Sequence, residues 1–392
     1  MTTTTQVISD SQQEETFQTG QVLSITGGHF LHDTFSAFFA PLLPLLIEKL
    51  SLSLTLVGTL SGMMQLPSLI TPFIGYLADK VSVRYFIIFA PGITATLMSF
   101  LGVANSYTAL AILLALAGFS IAAFHAPAPA MIARVSGHQV GKGMSFFMAS
   151  GELGRTVGPL LAVWAASFWG LEGIYRLAVI GWAVSAILYI RFRDVPARPQ
   201  KNVGFRAMIP TAWRLFIPLL FITISRDFLT VSLGTFLPTF MDSQGVSLWL
   251  AGGALSIYEF AGVGGALFSG TFSDRFGRKP ILTFGFVISA ILMLIFIQVR
   301  GWLVIPVLIA LGLTVLSSQP VLLAIVQDTM PNHRAVANGT YIAMSFLVRS
   351  VTTVVIGVIG DKFGLGTAFF WSALVAVLAL GGIWSLPKAR SD

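Results

Sequence analysis

Twelve long apolar stretches, separated by short polar segments, dominate this sequence. Each approaches or exceeds the roughly 20 residues that an α-helix needs to cross the hydrocarbon core of a bilayer. The stretches do not alternate apolar and polar residues, so membrane-spanning β-strands are not expected. The sequence therefore predicts an all-α integral membrane protein with twelve transmembrane helices. The expected spans are 21–47, 54–78, 85–104, 107–131, 143–168, 174–190, 214–241, 249–272, 280–299, 302–326, 335–359 and 366–385.

The composition agrees with a bilayer as the surrounding solvent. Charged residues make up 10% of the chain and the mean hydropathy is +0.84, whereas soluble domains typically contain about 25% charged residues. The formal net charge of +7 does not indicate nucleic-acid binding, because the basic residues lie in short loops and form no single patch. Cysteine is absent, which excludes disulfide bonds and thiolate metal sites.

The loop lysines and arginines indicate an orientation. With a cytosolic N-terminus, sixteen of the 23 Lys and Arg residues fall in cytosolic loops and tails, and only four fall on the opposite side. Cytosolic loops of membrane proteins carry this excess. The first twenty residues lack the basic start and apolar core of a signal peptide. We therefore expect a multi-pass protein of the inner (plasma) membrane with both termini in the cytosol.

The chain divides into two similar halves. The longest polar interruption, Arg191 to Arg214, follows the sixth apolar stretch. His32 and Asp33 match Arg226 and Asp227 at the same distance before a proline, and Gly118 with His125 matches Gly312 with Gln319. Parallel six-helix repeats are typical of one large class of secondary transporters. We predict a flexible cytosolic tail, an N-terminal six-helix bundle, a cytosolic linker and a C-terminal six-helix bundle at 1–20, 21–190, 191–213 and 214–386.

Two loop motifs resemble a known family. The segments GYLADKVSVR (75–84) and GTFSDRFGRK (270–279) are similar to the loop motif of the major facilitator superfamily, although Ser82 and Val83 replace Gly and Arg in the first copy. GRTVGP (154–159) matches part of an antiporter motif, which favours export. This resemblance implies two pseudo-symmetric six-helix bundles in which helices 1, 4, 7 and 10 line a central cavity.

A finer resemblance concerns the fosmidomycin-resistance branch of the same superfamily. It rests on the segments GHFLHD (28–33), FHAPAPAMIARVSG (124–137) and GELGRTVGPLL (151–161). That branch is associated with export of small anionic or amphiphilic compounds. It tends to have Pro-Glu after the histidine, where this chain has Ala126 to Ala128.

Ionisable residues at bilayer depth are the main functional candidates, because such residues are expensive in lipid. Asp33 lies about 18 Å from the cytosolic start of its helix, near the midplane. His29 shares a helix face with Asp33 and with His32, whereas His32 and Asp33 point about 100° apart. We therefore expect either Asp33 with His29, or the two histidines, to face the cavity. The candidate substrate- or proton-binding residues are His29, His32, Asp33, His125, Glu152, Arg155, Arg226, Asp227, Glu259, Gln319 and Arg349.

Several of these candidates have alternative structural roles. Asp33 could be paired permanently with Arg226 across the pseudo-twofold axis, and Glu152 could simply pair with Arg155 three residues away. His125 lies beside two prolines that predict a broken fourth helix, and Gln319-Pro320 predicts a kink in the tenth. Glu259 and Arg349 have no partner in their own helices.

Charged residues at the cytosolic helix ends are candidates for gating. Asp79 and Asp274 lie beside basic residues at matched positions in the two halves. Ion pairs in such places can stabilise one conformation and break in another. The candidate gating residues are Asp79, Arg84, Asp274, Arg275, Arg278 and Lys279.

We expect a proton-coupled exporter (antiporter) of small organic molecules, such as drugs or organic anions, that works by alternating access. Protons are the expected coupling ion, because histidine titrates near neutral pH, and no other cofactor is expected. One alternative is a divalent-metal transporter that uses His29, His32, Asp33 and His125. Others are proton-coupled uptake of a small organic anion and a receptor that does not transport. No nucleotide-binding loop or nucleophile motif indicates an enzyme. We expect a monomer in the lipid bilayer that binds a small-molecule substrate and no nucleic acid.

Overall fold

The computed structural model describes residues 16–70, 84–193, 209–330 and 334–387, and these ranges contain helices and turns but no strand. The helices before residue 194 are α1 Thr19–Ser36, α2 Phe39–Leu50, α3 Leu54–Gln65, α4 Arg84–Ser99, α5 Tyr107–His125, α6 Ala128–Val135, α7 Val140–Gly173 and α8 Ala178–Phe192. Those after residue 208 are α9 Ile209–Gly234, α10 Leu237–Asp242, α11 Leu248–Phe276, α12 Arg278–Phe296, α13 Val304–Val315, α14 Ser318–Thr329, α15 Arg334–Phe363 and α16 Leu365–Ser385.

These helices agree with the predicted spans. Ten helical segments of the described residues are long and apolar enough to cross a membrane. One of them, Gly137–Phe192, contains both the fifth and the sixth predicted spans, and Leu54–Ile70 is a shorter apolar helix at the position of the second. The prediction of an all-α membrane protein with twelve spans is therefore confirmed at the level of helix positions.

Four predicted spans are each divided into two helices. They are the first (α1 and α2), the fourth (α5 and α6), the seventh (α9 and α10) and the tenth (α13 and α14). The break in the fourth span adjoins Pro127 and Pro129, as expected, because proline lacks a backbone N–H and disfavours the preceding helical turn. The tenth span likewise breaks just before Pro320. The breaks in the first and seventh spans were not predicted.

Close helix contacts join the two halves. Helix α3 packs on α15 so closely that a Cβ added to Gly58 would meet the backbone of Thr353, and one added to Gly357 would meet the backbone of Leu54. Helix α7 packs on α11, where Gly252 faces Val163. Small residues permit such close helix approaches in membranes.

One end of the bundle is closed by contacts between the halves. We call the side where α1 begins the near side, and the side where α2 ends the far side. On the far side α2 packs on α10. There the Asp361 carboxylate, near the end of α15, accepts hydrogen bonds from the backbone N–H groups of Leu54 and Thr55 at 2.7 and 2.8 Å. Helix α3 is thus capped by a residue of the other half.

Candidate functional site

The carboxylate of Asp33 is surrounded by four side chains that can carry positive charge. Its Oδ1 lies 3.2 Å from His32 Nδ1 and 3.3 Å from His125 Nε2. Its Oδ2 lies 3.4 Å from His29 Nε2 and 3.6 Å from Arg155 Nη1. The Asp33 side chain is only 4% exposed. These contacts therefore replace the water that a carboxylate would otherwise need.

Backbone carbonyls determine which nitrogen of two histidines carries hydrogen. His29 Nδ1 lies 2.7 Å from the Phe147 carbonyl oxygen, and His125 Nδ1 lies 3.0 Å from that of Ile121. Since a carbonyl oxygen only accepts, both Nδ1 atoms are donors, and the Nε2 atoms of the neutral rings carry lone pairs. The two Nε2 atoms are 3.3 Å apart and both face Asp33. Two lone pairs and a carboxylate repel one another, so the arrangement favours binding at least one proton or other cation.

Packing holds the histidine rings in place. His29 stacks on Phe147 with ring centroids 3.9 Å apart, and His32 stacks on Phe124 at 4.4 Å. Gly151 of α7 lies against His29, where a Cβ would come within 3.0 Å of Asp33 Oδ2 and closer still to the imidazole. The glycines of the GELGRTVGP segment therefore let α7 approach α1 at the cluster.

His32 points differently from His29. Its side chain is fully buried, and its Nε2 lies 3.1 Å from Thr94 Oγ1, whose hydroxyl donates to Ser120 Oγ at 2.7 Å. Only its Nδ1 faces Asp33. Of the two expected arrangements, the structure brings Asp33 together with His29 and turns His32 into the N-terminal half. It also adds His125 to the cluster.

A second cluster surrounds Asp227 in the C-terminal half. Arg226 Nη1 donates to Asp227 Oδ1 at 3.1 Å, and Arg226 Nε donates to Ser318 Oγ at 3.2 Å. Arg349 Nη2 lies 3.8 Å from Asp227 Oδ1. The hypothesis that Arg226 pairs with Asp33 is therefore wrong, because each carboxylate is neutralised within its own half.

The two clusters are related by the internal repeat. The Asp33–Arg155 ion pair at 3.6 Å corresponds to the Asp227–Arg349 ion pair at 3.8 Å. The Thr94–Ser120 hydrogen bond of 2.7 Å corresponds to one of 2.9 Å between Ser289 and Thr314. Corresponding residues are 194 positions apart, or 195 for one pair. The pairs are His32 and Arg226, Asp33 and Asp227, Thr94 and Ser289, Ser120 and Thr314, His125 and Gln319, and Arg155 and Arg349.

The correspondence of Arg155 with Arg349 was not predicted, although the common offset of 194 residues is present in the sequence. The hydroxyl pairs Thr94–Ser120 and Ser289–Thr314 were not predicted either. Threonine and serine are frequent enough in apolar helices that a matched pair carries little signal until the neighbouring ionisable residues are aligned first.

Arg155 connects the two halves. It forms the expected ion pair with Glu152. Its Nε also lies 3.7 Å from Glu259 Oε2, which belongs to α11 of the C-terminal half. The Arg155 side chain is 40% exposed, so the guanidinium borders the space between the halves. Glu259 thus finds a partner in the other half, whereas Arg349 pairs with Asp227 of its own half.

The expected gating residues of the second motif form a network inside the C-terminal half. Arg278 Nη1 lies 2.6 Å from Asp274 Oδ1, and Arg278 Nε lies 3.3 Å from Asp328 Oδ2. Lys279 Nζ donates to the Leu386 carbonyl at 2.7 Å. These contacts join the near-side ends of α11, α12, α14 and the segment after α16. Asp328 was not among the predicted gating residues.

The other gating candidates make local contacts or fall outside the description. Arg275 lies over the Phe276 ring at 5.4 Å. Arg84 lies over the Tyr85 ring at 5.0 Å. Asp79 lies outside the described residues.

Three of the four candidate metal ligands converge. One ligand atom from each of His29, Asp33 and His125 lies within 4.8 Å of the other two. Two histidines and a carboxylate suit a divalent transition-metal ion. However, the Arg155 guanidinium contacts the same carboxylate, so a metal ion would have to compete with it. The metal alternative stays a prediction.

Comparison with known proteins identifies the class. Repeated halves, broken membrane helices and a charged cluster in each half are features of a secondary transporter. Residues 25–353 match the family model of the Major Facilitator Superfamily, and the chain belongs to that superfamily. It is thus a multi-pass membrane transporter of small molecules and not an enzyme.

Individual relatives support membership of this superfamily. The chain is 24% identical over 383 residues to the fosmidomycin resistance protein of Escherichia coli (strain K12), covering 94% of this chain and 92% of that protein. It is 23% identical over 368 residues to the uncharacterized MFS-type transporter YfnC of Bacillus subtilis (strain 168), covering 90% and 89%. The expected resemblance to the fosmidomycin-resistance branch is therefore confirmed.

Solved structures confirm the fold. A D-xylose–proton symporter matches with a TM-score of 0.80 at 16% identity, over 96% of this chain and 100% of that one. The nucleoside transporter NupG matches with a TM-score of 0.73 at 17% identity, over 94% of this chain and 100% of that one.

Proposed function

We propose that this protein is a proton-coupled exporter of small organic molecules that works by alternating access between its two halves. The observation that carries this proposal is the convergence of His29 Nε2 and His125 Nε2 on the buried Asp33 carboxylate. That geometry favours a bound proton. His125 is 38% exposed although it lies at bilayer depth, which provides a route for proton exchange with water.

Arg155 supplies a link between proton binding and the position of the halves. When the Asp33 cluster carries no extra proton, the carboxylate attracts Arg155 strongly. Proton binding weakens that attraction, so Arg155 then interacts mainly with Glu152 and with Glu259 of the other half. A ligand shifts a conformational equilibrium only through its different affinity for the two states, and the Arg155–Glu259 contact between the halves provides such a difference.

Two observations support export and a bacterial setting. The name of the E. coli relative describes resistance to fosmidomycin, and the GRTVGP segment resembles part of an antiporter motif. The excess of basic residues supports a cytosolic location for both termini in the inner membrane. The far side would then face away from the cytosol, and the present conformation would be closed on that side. We propose a monomer as the transporting unit, because each half supplies one of the two clusters.

The test uses proteoliposomes with an imposed pH gradient and radiolabelled fosmidomycin as the probe. Wild-type protein should move the probe against its concentration gradient. Asp33→Asn should abolish gradient-driven transport and retain exchange at equal concentrations, because the cavity persists while its proton site is lost. Glu172→Gln is the matched control, since that carboxylate pairs with Lys49 at the far-side surface. Gradient-driven transport by Asp33→Asn at the wild-type rate would contradict the proposal.

A further inference from the structure

We propose that the C-terminal half contains an oxyanion-binding subsite at Arg349, so that substrate and proton occupy corresponding positions in opposite halves. This inference rests on the proposed transport function and names the substrate class: small organic acids or phosphonates. Three observations support it: the charge difference between the two clusters, the unused donors of Arg349, and buried polar atoms near it that have no partner among the described residues.

The charge difference comes from two positions of the repeat. In the N-terminal cluster Asp33 and Glu152 face Arg155, which leaves one negative charge in excess before any histidine is protonated. In the C-terminal cluster Asp227 faces both Arg226 and Arg349, which leaves one positive charge in excess. This reversal comes from two differences between corresponding positions of the repeat. His32 corresponds to Arg226, and Glu152 corresponds to Phe346. Cations are therefore favoured in the N-terminal cluster and anions in the C-terminal one.

Arg349 has unused hydrogen-bonding capacity. A guanidinium carries five N–H donors in a planar fork that suits carboxylate and phosphonate groups. Its ion-pair contact with Asp227 is 3.8 Å long, and within the described part of the chain its side chain donates no hydrogen bond. Arg226 by contrast donates to both Asp227 and Ser318. The Arg349 side chain is 30% exposed, so a solute can reach it.

Buried polar atoms without partners lie in the same region. Tyr258 of α11 is fully buried, its hydroxyl has no hydrogen-bond partner among the described residues, and it interacts electrostatically with Arg226 and Arg349. Asp227 Oδ2 and Gln319 Oε1 are likewise buried without a partner in the described ranges. Such groups cost free energy unless water or a ligand satisfies them. The Tyr258 hydroxyl can donate to an oxyanion, and the two acceptor oxygens suit a hydroxyl or N–H group of the same molecule.

Glu259 is a second acid, besides Asp227, that would oppose anion binding at Arg349. Its carboxylate interacts electrostatically with Arg349 but contacts Arg155 at 3.7 Å. Because Arg155 holds Glu259 toward the N-terminal half, Asp227 is the ion-pair partner of Arg349, whose side chain is 30% exposed. An oxyanion that binds Arg349 therefore does not have to displace Glu259.

The experiment measures thermal unfolding of the purified full-length protein in detergent, at constant ionic strength. The probes are 2-hydroxyethylphosphonate and lactate, with choline chloride as the cationic comparison. A ligand that binds the folded state raises the apparent Tm in a concentration-dependent way. We expect the two anions to raise it and choline to have no such effect. Arg349→Gln should abolish the rise, whereas the control Arg300→Gln, at an exposed loop, should retain it.

A second variant covers the case in which Arg349→Gln does not fold. Tyr258→Phe removes only the hydroxyl and preserves the buried ring, so it should fold and bind the anions about tenfold or more weakly. No stabilisation of the wild type by either anion, or equal stabilisation of wild type, Arg349→Gln and Tyr258→Phe, would overturn the subsite.

The outcome is separable from that of the transport proposal. Asp33→Asn should keep the anion-dependent rise in Tm, because Asp33 lies in the other cluster. Loss of proton coupling in Asp33→Asn, combined with anion binding that does not depend on Arg349, would leave the transport proposal intact and overturn only the subsite. Anion binding that depends on Arg349, in a protein that shows no proton-coupled transport, would support the subsite and overturn the transport proposal.

Discussion

At the scale of single residues, the Asp33 cluster depends on neighbouring groups that hold its histidine rings in place. Imidazole nitrogens face the carboxylate from α1 and α5, and the guanidinium of Arg155 faces it from α7. The ring orientation of His29 depends on the Phe147 carbonyl and ring. These supporting contacts determine which nitrogen is available for a proton, so in the proposed mechanism a residue that never binds a proton can still affect coupling.

Gly151 provides a test of that dependence. A Cβ at this position would overlap the His29 ring and press on Asp33. We expect Gly151→Ala to lower the Tm and to reduce pH-gradient-driven transport at least tenfold, because His29 must leave its place beside Asp33.

The matched control is Gly141→Ala in the same helix, where an added Cβ would meet nothing within 4 Å. It should be neutral or slightly stabilising, since alanine favours a helix over glycine by about 1 kcal/mol. Equal transport by Gly151→Ala and Gly141→Ala would show that tight packing of His29 is not needed for coupling.

At the scale of helices, the beginning of α3 meets the end of α15 on the far side, where the two halves are in contact. The N-terminus of α3 is capped by Ser53 of its own half and by Asp361 of the other. Thr55 Oγ1 also donates to Asp361 Oδ2 at 2.5 Å. A carboxylate at a helix N-terminus accepts from free N–H groups and interacts favourably with the helix dipole. This cap exists only while the halves are in contact.

We therefore predict that Asp361→Asn shifts the protein away from the far-side-closed conformation. Asparagine retains one acceptor oxygen but loses the negative charge, whose interaction with a helix N-terminus is worth about 0.3–1 kcal/mol, equivalent to a change of about 2- to 5-fold in the equilibrium. Because the chain has no cysteine, the change can be followed by introducing Thr353→Cys, a position buried against α3. A membrane-impermeant maleimide on the far side should label it faster in Asp361→Asn.

Glu172→Gln serves as the control because its Lys49 partner belongs to the same half. It should leave the labelling rate unchanged. If Asp361→Asn labels at the same rate as the protein that retains Asp361, or if both variants label equally faster, this cap has no specific role in closing the far side.

At the scale of the whole molecule, two halves of the same architecture carry clusters of opposite excess charge. Contacts of α3 with α15 and of α7 with α11 join them, and the Arg155–Glu259 ion pair crosses between them. Rocking of one half against the other can change that ion pair while leaving each cluster intact. This arrangement suits alternating access, in which the halves move largely as rigid bodies around a central site.

The orientation of the molecule is also a prediction at this scale. It rests on the sixteen-to-four distribution of basic residues in the loops, which indicates the cytosolic side. The segment 191–213 contains several sites for trypsin, and we expect cleavage there in inside-out membrane vesicles but not in intact cells. An immunoblot against tags at both termini distinguishes the halves. Cleavage by external trypsin in intact cells would show that the predicted orientation is wrong.

The sequence alone determined the features that depend on local composition and spacing. Apolar length predicts the spans, because each helix in lipid must satisfy its own backbone hydrogen bonds. Equal spacing in the two halves predicts that Arg226 and Asp227 occupy the positions in the second half that His32 and Asp33 occupy in the first. The 3.6-residue period of the helix is enough to place Asp33 with His29, and Arg155 with Glu152, on shared faces.

Only the tertiary structure decided which of these faces meet. Asp33 lies beside His125 and Arg155, and Arg226 lies beside Asp227 and Ser318, because the rotation and crossing of each helix about its axis select its neighbours. Sequence spacing carries no information about that rotation when most residues on every face are apolar. The closest contacts between helices, such as Gly151 against His29, then decide the register, and with it which buried charges neutralise one another.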